Sequence, residues 1–327
     1  MPALVAVRRR LAAVLPVTLA AGAIAAAPAA AAAQPLTAQQ ILTQFNAVIR
    51  TTFTSGHDVE GRLVARTITG GATFYNNPHP GSAPSAFRVV NAINVTGCAS
   101  CNVNNGGSVN VQGSNAGTFN FNGGGSLVNT PSFAMADFEA PLNDLSAGIS
   151  ALAANSTYDA SDMNNFKFLL TPVAGRAVVR VTAADAAKLF TASSINFIGS
   201  ASSIFVDVLG GAGGYAQGGG SNFNAGDALD RALVWNFAGA SSLGFKFWHG
   251  AVLAPNAAVT NSSPIEGLLY ANSFVGNGEL HDRPFAGSVA GISAVPEPST
   301  VTLVGAALVG AGALARRRRR AADRPAA

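Results

Sequence analysis

Charged side chains are scarce in this sequence. Asp, Glu, Lys and Arg make up 11% of its 327 residues, whereas hydrophobic residues make up 49%. Lysine and glutamate are especially rare between residues 34 and 295. Helical domains rely on these two residue types for their exposed faces, so their scarcity argues against a mainly helical fold.

Basic residues are spread thinly over the central region and cluster at the two ends. Residues 34–295 hold eleven Lys or Arg and fourteen Asp or Glu, a net charge of 11 − 14 = −3, although the whole chain has a net charge of +4. Binding to phosphates needs cations clustered on the folded body. The composition therefore excludes nucleic acid as a partner.

Histidine and cysteine are also scarce. The four histidines are scattered along the chain and form no H-x-x-H pair, so we expect neither a metal site nor a cofactor; they are His57, His79, His249 and His281. We expect His281 to be a hydrogen-bonded turn residue.

The N-terminus has the layout of a secretory signal peptide. Three arginines, Arg8 to Arg10, precede an apolar stretch and an alanine-rich segment that ends near Ala33. This order of a basic region, an apolar region and small residues is typical of a cleaved export signal. We therefore expect residues 1–33 to be a signal peptide and the chain to be exported.

The C-terminus carries three features in a fixed order: a Pro-Glu-Pro triplet, an apolar run over residues 299–315, and an arginine cluster. The run would be about 25 Å long as a helix, which is near the lower limit for crossing a membrane. The arginines behind it favour a cytoplasmic end, so we expect a C-terminal transmembrane helix and a cytoplasmic tail at residues 321–327. The residues concerned are Pro296, Glu297, Pro298, Arg316, Arg317, Arg318, Arg319 and Arg320.

Residues 296–320 resemble the PEP-CTERM sorting signal. The resemblance implies that a membrane-embedded exosortase is a partner and processes the chain at the surface of a Gram-negative bacterium that makes exopolysaccharide. It implies a location, the cell surface or the extracellular matrix, and no activity.

The body between the two signals consists of short apolar pieces separated by Asn and Gly. Alternation over runs such as residues 109–111 and 119–121 indicates β-strands. Asn and Gly accept sharp corners, and Asn side chains can form ladders between stacked turns. We predict a mainly β fold, and among a sandwich, a barrel and a β-solenoid we favour the solenoid.

Three segments have a helical pattern. Apolar residues recur at helical spacing over residues 37–50, behind the candidate N-cap Thr37, and over residues 138–156. A shorter candidate begins after Thr182. We expect the second helix to lie along the flank of the solenoid.

Residues 34–295 resemble the choice-of-anchor A domain of bacterial surface proteins, and their last part is similar to the closing coils of ice-binding-like solenoids. The resemblance implies a β-rich surface domain with a flanking helix. It rests on five pieces: Asp58-Val59-Glu60-Gly61-Arg62, Trp235-Asn236-Phe237, Leu253-Ala254-Pro255-Asn256, Ile265-Glu266-Gly267 and Gly278-Glu279-Leu280-His281.

Cys98 and Cys101 are the only cysteines. In an exported chain this pair favours a local disulfide, and a redox or metal role or free thiols are the alternatives.

Acidic residues offer other candidates. Asp58, Glu60 and Glu266 could serve glycoside chemistry, because alternation along a strand would place the first two on one face. Asp58 and Glu60, or the pair Asp227 and Asp230, could bind Ca²⁺, but we expect these acids mainly to hold turns and backbone.

We therefore expect an exported, non-catalytic protein with a structural or adhesive role, and exopolysaccharide is a possible partner because the repetitive polar surface suits sugars. Two alternatives stay open. One is a polysaccharide-modifying enzyme on a β-helix; the other is an ice-binding-type adhesin, which would need flat, threonine-rich rows.

Overall fold

A computed structural model describes residues 36–82, 85–210, 213–218 and 222–293. The predicted signal peptide (residues 1–33), the sorting signal with its transmembrane helix (296–320) and the tail (321–327) lie outside these ranges. Within the ranges, no helix combines the length and apolar character needed to cross a membrane. The described body is mainly β, with parallel sheets arranged as a β-helix-like solenoid.

The first helix is shorter than its sequence pattern predicts. Helix α1 spans Ala38–Gln44 behind the N-cap Thr37, whose side chain forms a capping box with Gln40. The chain then becomes strand β1, Ala47–Ser55. The prediction of helix through residue 50 is wrong because Val48 and Ile49 are buried in a sheet, where β-branched residues pack well.

The first half of the solenoid rises from β1 in successive coils. Each coil contributes one strand to the large sheet and, in the first four coils, one to a smaller sheet, and all pairings are parallel. The strands after β1 are β2 (Asp58–Val59), β3 (Leu63–Thr69), β4 (Thr73–Phe74), β5 (Val90–Gly97), β6 (Cys101–Val103), β7 (Val109–Val111), β8 (Phe119–Phe121) and β9 (Leu127–Val128).

Helix α2, Ala136–Ala151, then runs back along the flank of the solenoid, as predicted. Phe138, Leu142 and Ile149 form its buried stripe, and all three are fully buried. They pack on outward-facing residues of the large sheet, including Val64 and Leu253. This second apolar layer holds the helix against the stacked coils.

The second half of the solenoid begins at the far end of α2 and returns toward β1. The predicted helix after Thr182 is present as α3, with Thr182 as its N-cap. The elements are β10 (Thr157–Asp159), β11 (Asn165–Leu169), β12 (Arg176–Thr182), α3 (Ala183–Thr191), β13 (Ser194–Ile198), β14 (Ser203–Leu209), β15 (Gly214–Ala216), β16 (Asn222–Phe223), α4 (Asp227–Asp230), β17 (Leu233–Asn236), β18 (Ser242–Phe245), β19 (Trp248–His249), β20 (Ala251–Asn261), β21 (Ile265–Glu266), β22 (Leu269–Gly276) and β23 (Leu280–His281).

The last coil docks beside the first. Strand β22 pairs in parallel with β1, and β23 pairs with β2. The large sheet therefore runs in the order β12-β14-β17-β20-β22-β1-β3-β5-β7-β9. We call the contact between the β22 and β1 coils the seam; it lies in the middle of the solenoid, and both halves of the chain stack outward from it.

Candidate functional site

Part of the large sheet presents two rows of small, uncharged side chains. It is built by seven parallel strands, in the order β15, β18, β20, β22, β1, β3 and β5. The inward residues Val259, Phe274 and Phe53 are buried, so their neighbours along each strand point outward. The outward residues form two rows, Gly214-Ser242-Ala258-Ser273-Thr52-Thr67-Asn94 and Ala216-Gly244-Thr260-Val275-Thr54-Thr69, which we call the flat face.

The flat face is long and stiff. Six strand spacings of about 4.8 Å give it a length of about 29 Å. Thr52 pairs with Thr67, and Thr54 pairs with Thr69, so the hydroxyl groups are in register across adjacent coils. Threonine is β-branched and has few χ1 rotamers, so these groups are already positioned before any ligand arrives.

The sequence pattern contained a signal for these rows that the prediction missed. Thr52 and Thr54 recur fifteen residues later as Thr67 and Thr69. That spacing is the length of the coil from β1 to β3. The rest of the rows could not be predicted from the sequence. The strands of the second half supply Ser, Ala and Gly at irregular spacing, and these strands join β1 only through the seam.

An asparagine ladder runs along the smaller sheet, as the Asn-rich corners predicted. Asn122 Nδ2 donates to Asn104 Oδ1 at 2.8 Å, and Asn104 donates to Asn76 at 2.7 Å. Asn76 in turn donates to Asp58 Oδ2 at 2.5 Å. Each amide is thus used by the next coil, so this ladder stabilises the stacking.

A second ladder lies in the second half of the solenoid. Asn224 donates to Asn196 at 2.6 Å, and Asn196 donates to Asn165 at 2.7 Å. These strands also pair in parallel and in register. The asparagines of both ladders are therefore occupied by neighbouring coils.

Buried and partly exposed charges gather at the seam. Arg283 places Nη1 3.5 Å from Glu60 Oε2 and Nε 3.4 Å from Glu266 Oε2. His281, which forms hydrogen bonds as predicted, lies 2.7 Å from Glu266 through Nδ1 and 2.8 Å from Glu279 through Nε2. We call Glu60, Glu266, Glu279, His281 and Arg283 the seam cluster.

Two members of the seam cluster, His281 and Glu266, have pKa values shifted toward their charged forms. The hydrogen bond to Glu266 raises the pKa of His281 to about 9, although burial acts in the opposite direction. Burial raises the pKa of Glu266, but its bond to His281 and the charge of Arg283 outweigh that effect and leave the pKa below its ordinary value. The cluster is therefore an ion-pair network at neutral pH.

The acids considered for glycoside chemistry do not share a face. Strand β2 ends at Val59, so Asp58 joins the exposed ladder while Glu60 turns into the seam. Glu60 Oε1 accepts a hydrogen bond from Asn77 at 3.2 Å, and Glu266 binds His281 and Arg283. These carboxylates hold coils together, which is the role that we expected for most of them.

The aspartates considered for Ca²⁺ have protein partners. Asp230 Oδ1 lies 2.7 Å from His249 Nδ1, and burial raises the pKa of Asp230. Asp227 lies within 4 Å of His79, Arg231 and Arg283. In the part of the chain that the structure describes, no three His, Cys, Asp or Glu side chains are grouped to hold a metal ion.

Cys98 and Cys101 occupy the corner between β5 and β6, where the structure joins their sulfurs in a disulfide. Both residues are fully buried, whereas Ala99 and Ser100 between them are exposed. The next coil stacks on this corner, because Thr118 N donates to Cys98 O at 2.7 Å. The pair thus lies inside the stack, directly after Gly97, which pairs with Thr69 of the flat face.

Several of the quoted sequence pieces meet at the seam. Asn46 Nδ2 donates to the carbonyl oxygens of Gly267, at 3.0 Å, and His281, at 2.9 Å. Its Oδ1 accepts from Gly61 N at 3.1 Å. One buried asparagine therefore ties together three of the pieces, those containing Gly61, Gly267 and His281, and their shared role is to close the solenoid.

Comparison with known proteins agrees with this architecture. The profile of the ice-binding-like adhesive domain family matches residues 38–282, and that of the PEP-CTERM protein-sorting motif matches residues 294–320. No curated protein and no solved structure matches. The chain therefore belongs to the ice-binding-like adhesive domain family, and its sorting motif identifies it as an exported surface protein.

Proposed function

We propose that this protein is a non-catalytic adhesin that uses its flat face to bind polysaccharide of the extracellular matrix. The supporting observation is the pair of rows of small Gly, Ala, Ser, Thr and Asn side chains across seven strands. No side chain in these rows is charged and none is larger than valine or asparagine. A sugar chain could therefore contact these rows over about 29 Å, with Arg66 beside Thr67 at their border.

The chemistry of the rows suits hydroxyl-rich ligands. Hydroxyl groups both donate and accept hydrogen bonds, so threonines at fixed spacing can contact successive sugar units. Because these side chains are short and stiff, binding immobilises few rotatable bonds and loses little conformational entropy. Each contact is weak, and affinity comes from repetition along the face.

The test compares two alanine-to-arginine variants of the full-length protein in retention on purified exopolysaccharide. Ala258 is exposed in the middle of the flat face, and Ala187 is exposed on α3. We expect Ala258→Arg to weaken retention about tenfold, because arginine lifts the ligand off the rows, and Ala187→Arg to leave it unchanged. Equal retention by both variants would overturn the proposed binding face.

Two further assays separate the alternatives. The in-register threonines also favour an ice-binding-type adhesin, which would show thermal hysteresis that Ala258→Arg abolishes. A polysaccharide-modifying enzyme would release reducing sugar ends, and that release would disappear in Asp58→Asn. Our proposal predicts retention without either activity.

The sorting motif gives the adhesin its location. We propose that exosortase recognises Pro296-Glu297-Pro298 and the arginines behind the apolar run, and that the chain stays at the surface or is released to the matrix. Cell fractionation with intact-mass measurement tests this: a mature form that begins near residue 34 and ends near Pro296 is expected. A full-length form with both ends uncut in the cytosol would contradict it.

A further inference from the structure

The two ends of the solenoid differ in how their edge strands are covered. At the β12 end, the chain caps itself: Asn155 N and Ser156 N both donate to Val178 O at 3.1 Å, and Val178 N donates to Asn155 Oδ1 at 2.8 Å. Strand β10 closes the neighbouring sheet by pairing antiparallel with β11. We call this the capped end.

The β8–β9 end has no such cover among the described residues. Strand β9 pairs only with β7, and β8 pairs only with β6. The interior column of apolar residues also stops here, because Leu127 follows the fully buried Val109 in register and is 45% exposed. Unpaired strand edges beside exposed apolar residues are templates for pairing with another chain.

The two ends of the solenoid also differ in their content of charged residues. The 48 residues from 89 to 136 contain no Asp, Glu, Lys, Arg or His, and they include β5 to β9. The capped end instead has Arg176 and Arg180 on its edge strand. Proteins usually protect edge strands with charge, so the uncapped end lacks both common forms of protection against association.

We propose that the uncapped end binds the same end of a second copy of this chain, a homotypic contact that extends the proposed adhesive function. A two-fold axis at the tip would pair β9 with β9 antiparallel and cover Leu127 on both copies. Two uncharged surfaces approach without electrostatic repulsion. Head-to-tail stacking is disfavoured, because the capped end already satisfies its edge groups and carries two arginines.

The place where the body ends makes this contact suited to adhesion. The backbone of Ser293 packs closely against Gly148. A Cβ atom on residue 148 would lie 2.9 Å from the carbonyl group of Ser293. Ser146 and Ser150, on the same stretch of α2, bind Asn236 of β17 and Asp207 of β14. The described body therefore ends near the capped end, about seven strand spacings or 34 Å from β9, so the uncapped tip lies far from the point where the sorting motif begins.

Cysteine crosslinking of the full-length protein tests the geometry. Ser126 precedes β9 and is exposed, and Val173, near the capped end, is 65% exposed. With a short bis-maleimide linker, Ser126→Cys should give a covalent dimer, and Val173→Cys, the matched control, should stay monomeric. Equal crosslinking of the two variants, or a monomer in both with no dimer by sedimentation, would overturn the proposal.

A charge placed at the uncapped end tests whether this end mediates self-association. Leu127→Lys should weaken self-association about tenfold or more, because it brings two positive charges together, whereas Val173→Lys should not. Mixed clumping of two differently labelled cell populations should fall with the first variant only, and unchanged self-association would contradict the proposal. Polysaccharide retention separates flat-face binding from self-association through the uncapped end. Leu127→Lys should lose self-association and still be retained on polysaccharide. If flat-face binding fails instead, self-association should be unaffected.

Discussion

Phe53 of the first coil stacks on Phe274 of the last, with ring centroids 5.5 Å apart and planes 29° from parallel. The two residues are 274 − 53 = 221 positions apart in sequence. The solenoid is therefore closed in its middle by the two ends of the domain, and not built from one end to the other. Because its strands are so far apart in sequence, we expect the seam to form slowly.

Removing this contact should destabilise the whole domain. Phe274→Ala deletes a buried ring, and we expect the free energy of unfolding to fall by about 3–5 kcal/mol. The adjacent Val275→Ala, which changes a 47% exposed side chain on the flat face, should change it by less than about 0.5 kcal/mol. Denaturant unfolding of both variants measures the difference. A loss for Phe274→Ala as small as that for Val275→Ala would show that this contact is not critical for stability.

Local patterns were enough to predict the strand-rich solenoid, the helix on its flank and the asparagine ladder. Each depends on residues close in sequence or on one repeated residue type, such as the apolar stripe through Phe138 and Ile149. The end of α1 was not predictable in this way. Val48 and Ile49 fit a helical stripe equally well, and what fixes them in a strand is tertiary pairing on both sides, with β3 and with β22, which comes more than two hundred residues later.

The flat face was harder to predict for the same reason. Thr52 and Thr67 follow each other in sequence order, but Ser273 and Ala258 join their row only through the seam. The seam cluster also brings together Glu60 and Arg283 from opposite ends of the domain. Sequence spacing carries no information on such contacts, so a repetitive polar surface could be expected but the flat face could not be located.

Stability should fall at alkaline pH because of His281. Its pKa of about 9 in the folded protein is above the ordinary value near 6.5, so its contribution is complete below about pH 6.5 and is lost as the pH rises through 9. The shift corresponds to at most about 3 kcal/mol. Thermal unfolding measured from about pH 6 to about pH 10 should show a falling midpoint.

A variant identifies the group responsible for this fall. His281→Gln keeps hydrogen-bonding capacity but cannot carry the positive charge that pairs with Glu266 and Glu279. We expect it to be less stable than the parent at neutral pH and to show a flatter pH profile. A profile as steep as that of the parent protein would assign the alkaline loss to another residue.

Asn236 should anchor α2 to the sheet. It is fully buried, and its Nδ2 lies 2.8 Å from Asp207 Oδ1 and 3.0 Å from Ser146 O, while its Oδ1 accepts from Ser146 Oγ at 2.6 Å. Asn236→Ala leaves several buried polar groups without partners and should cost about 3 kcal/mol. Amide hydrogen exchange in α2 should accelerate as well. Asn256→Ala, at an exposed position, is the control and should affect neither measurement.

The cysteine corner should be oxidised in the exported protein and should stabilise the outer coils modestly. Under denaturing conditions, alkylation without a reductant should label neither thiol, and both should be labelled after reduction. A four-residue loop loses little entropy on closure, so the double variant Cys98→Ala with Cys101→Ala should lose about 2 kcal/mol of stability. Because Cys101 N donates to Thr118 O at 3.0 Å, the loss should appear first as faster exchange in the coil that carries β7 and β8. Two freely alkylated thiols in the exported protein would show that the corner is held by packing alone.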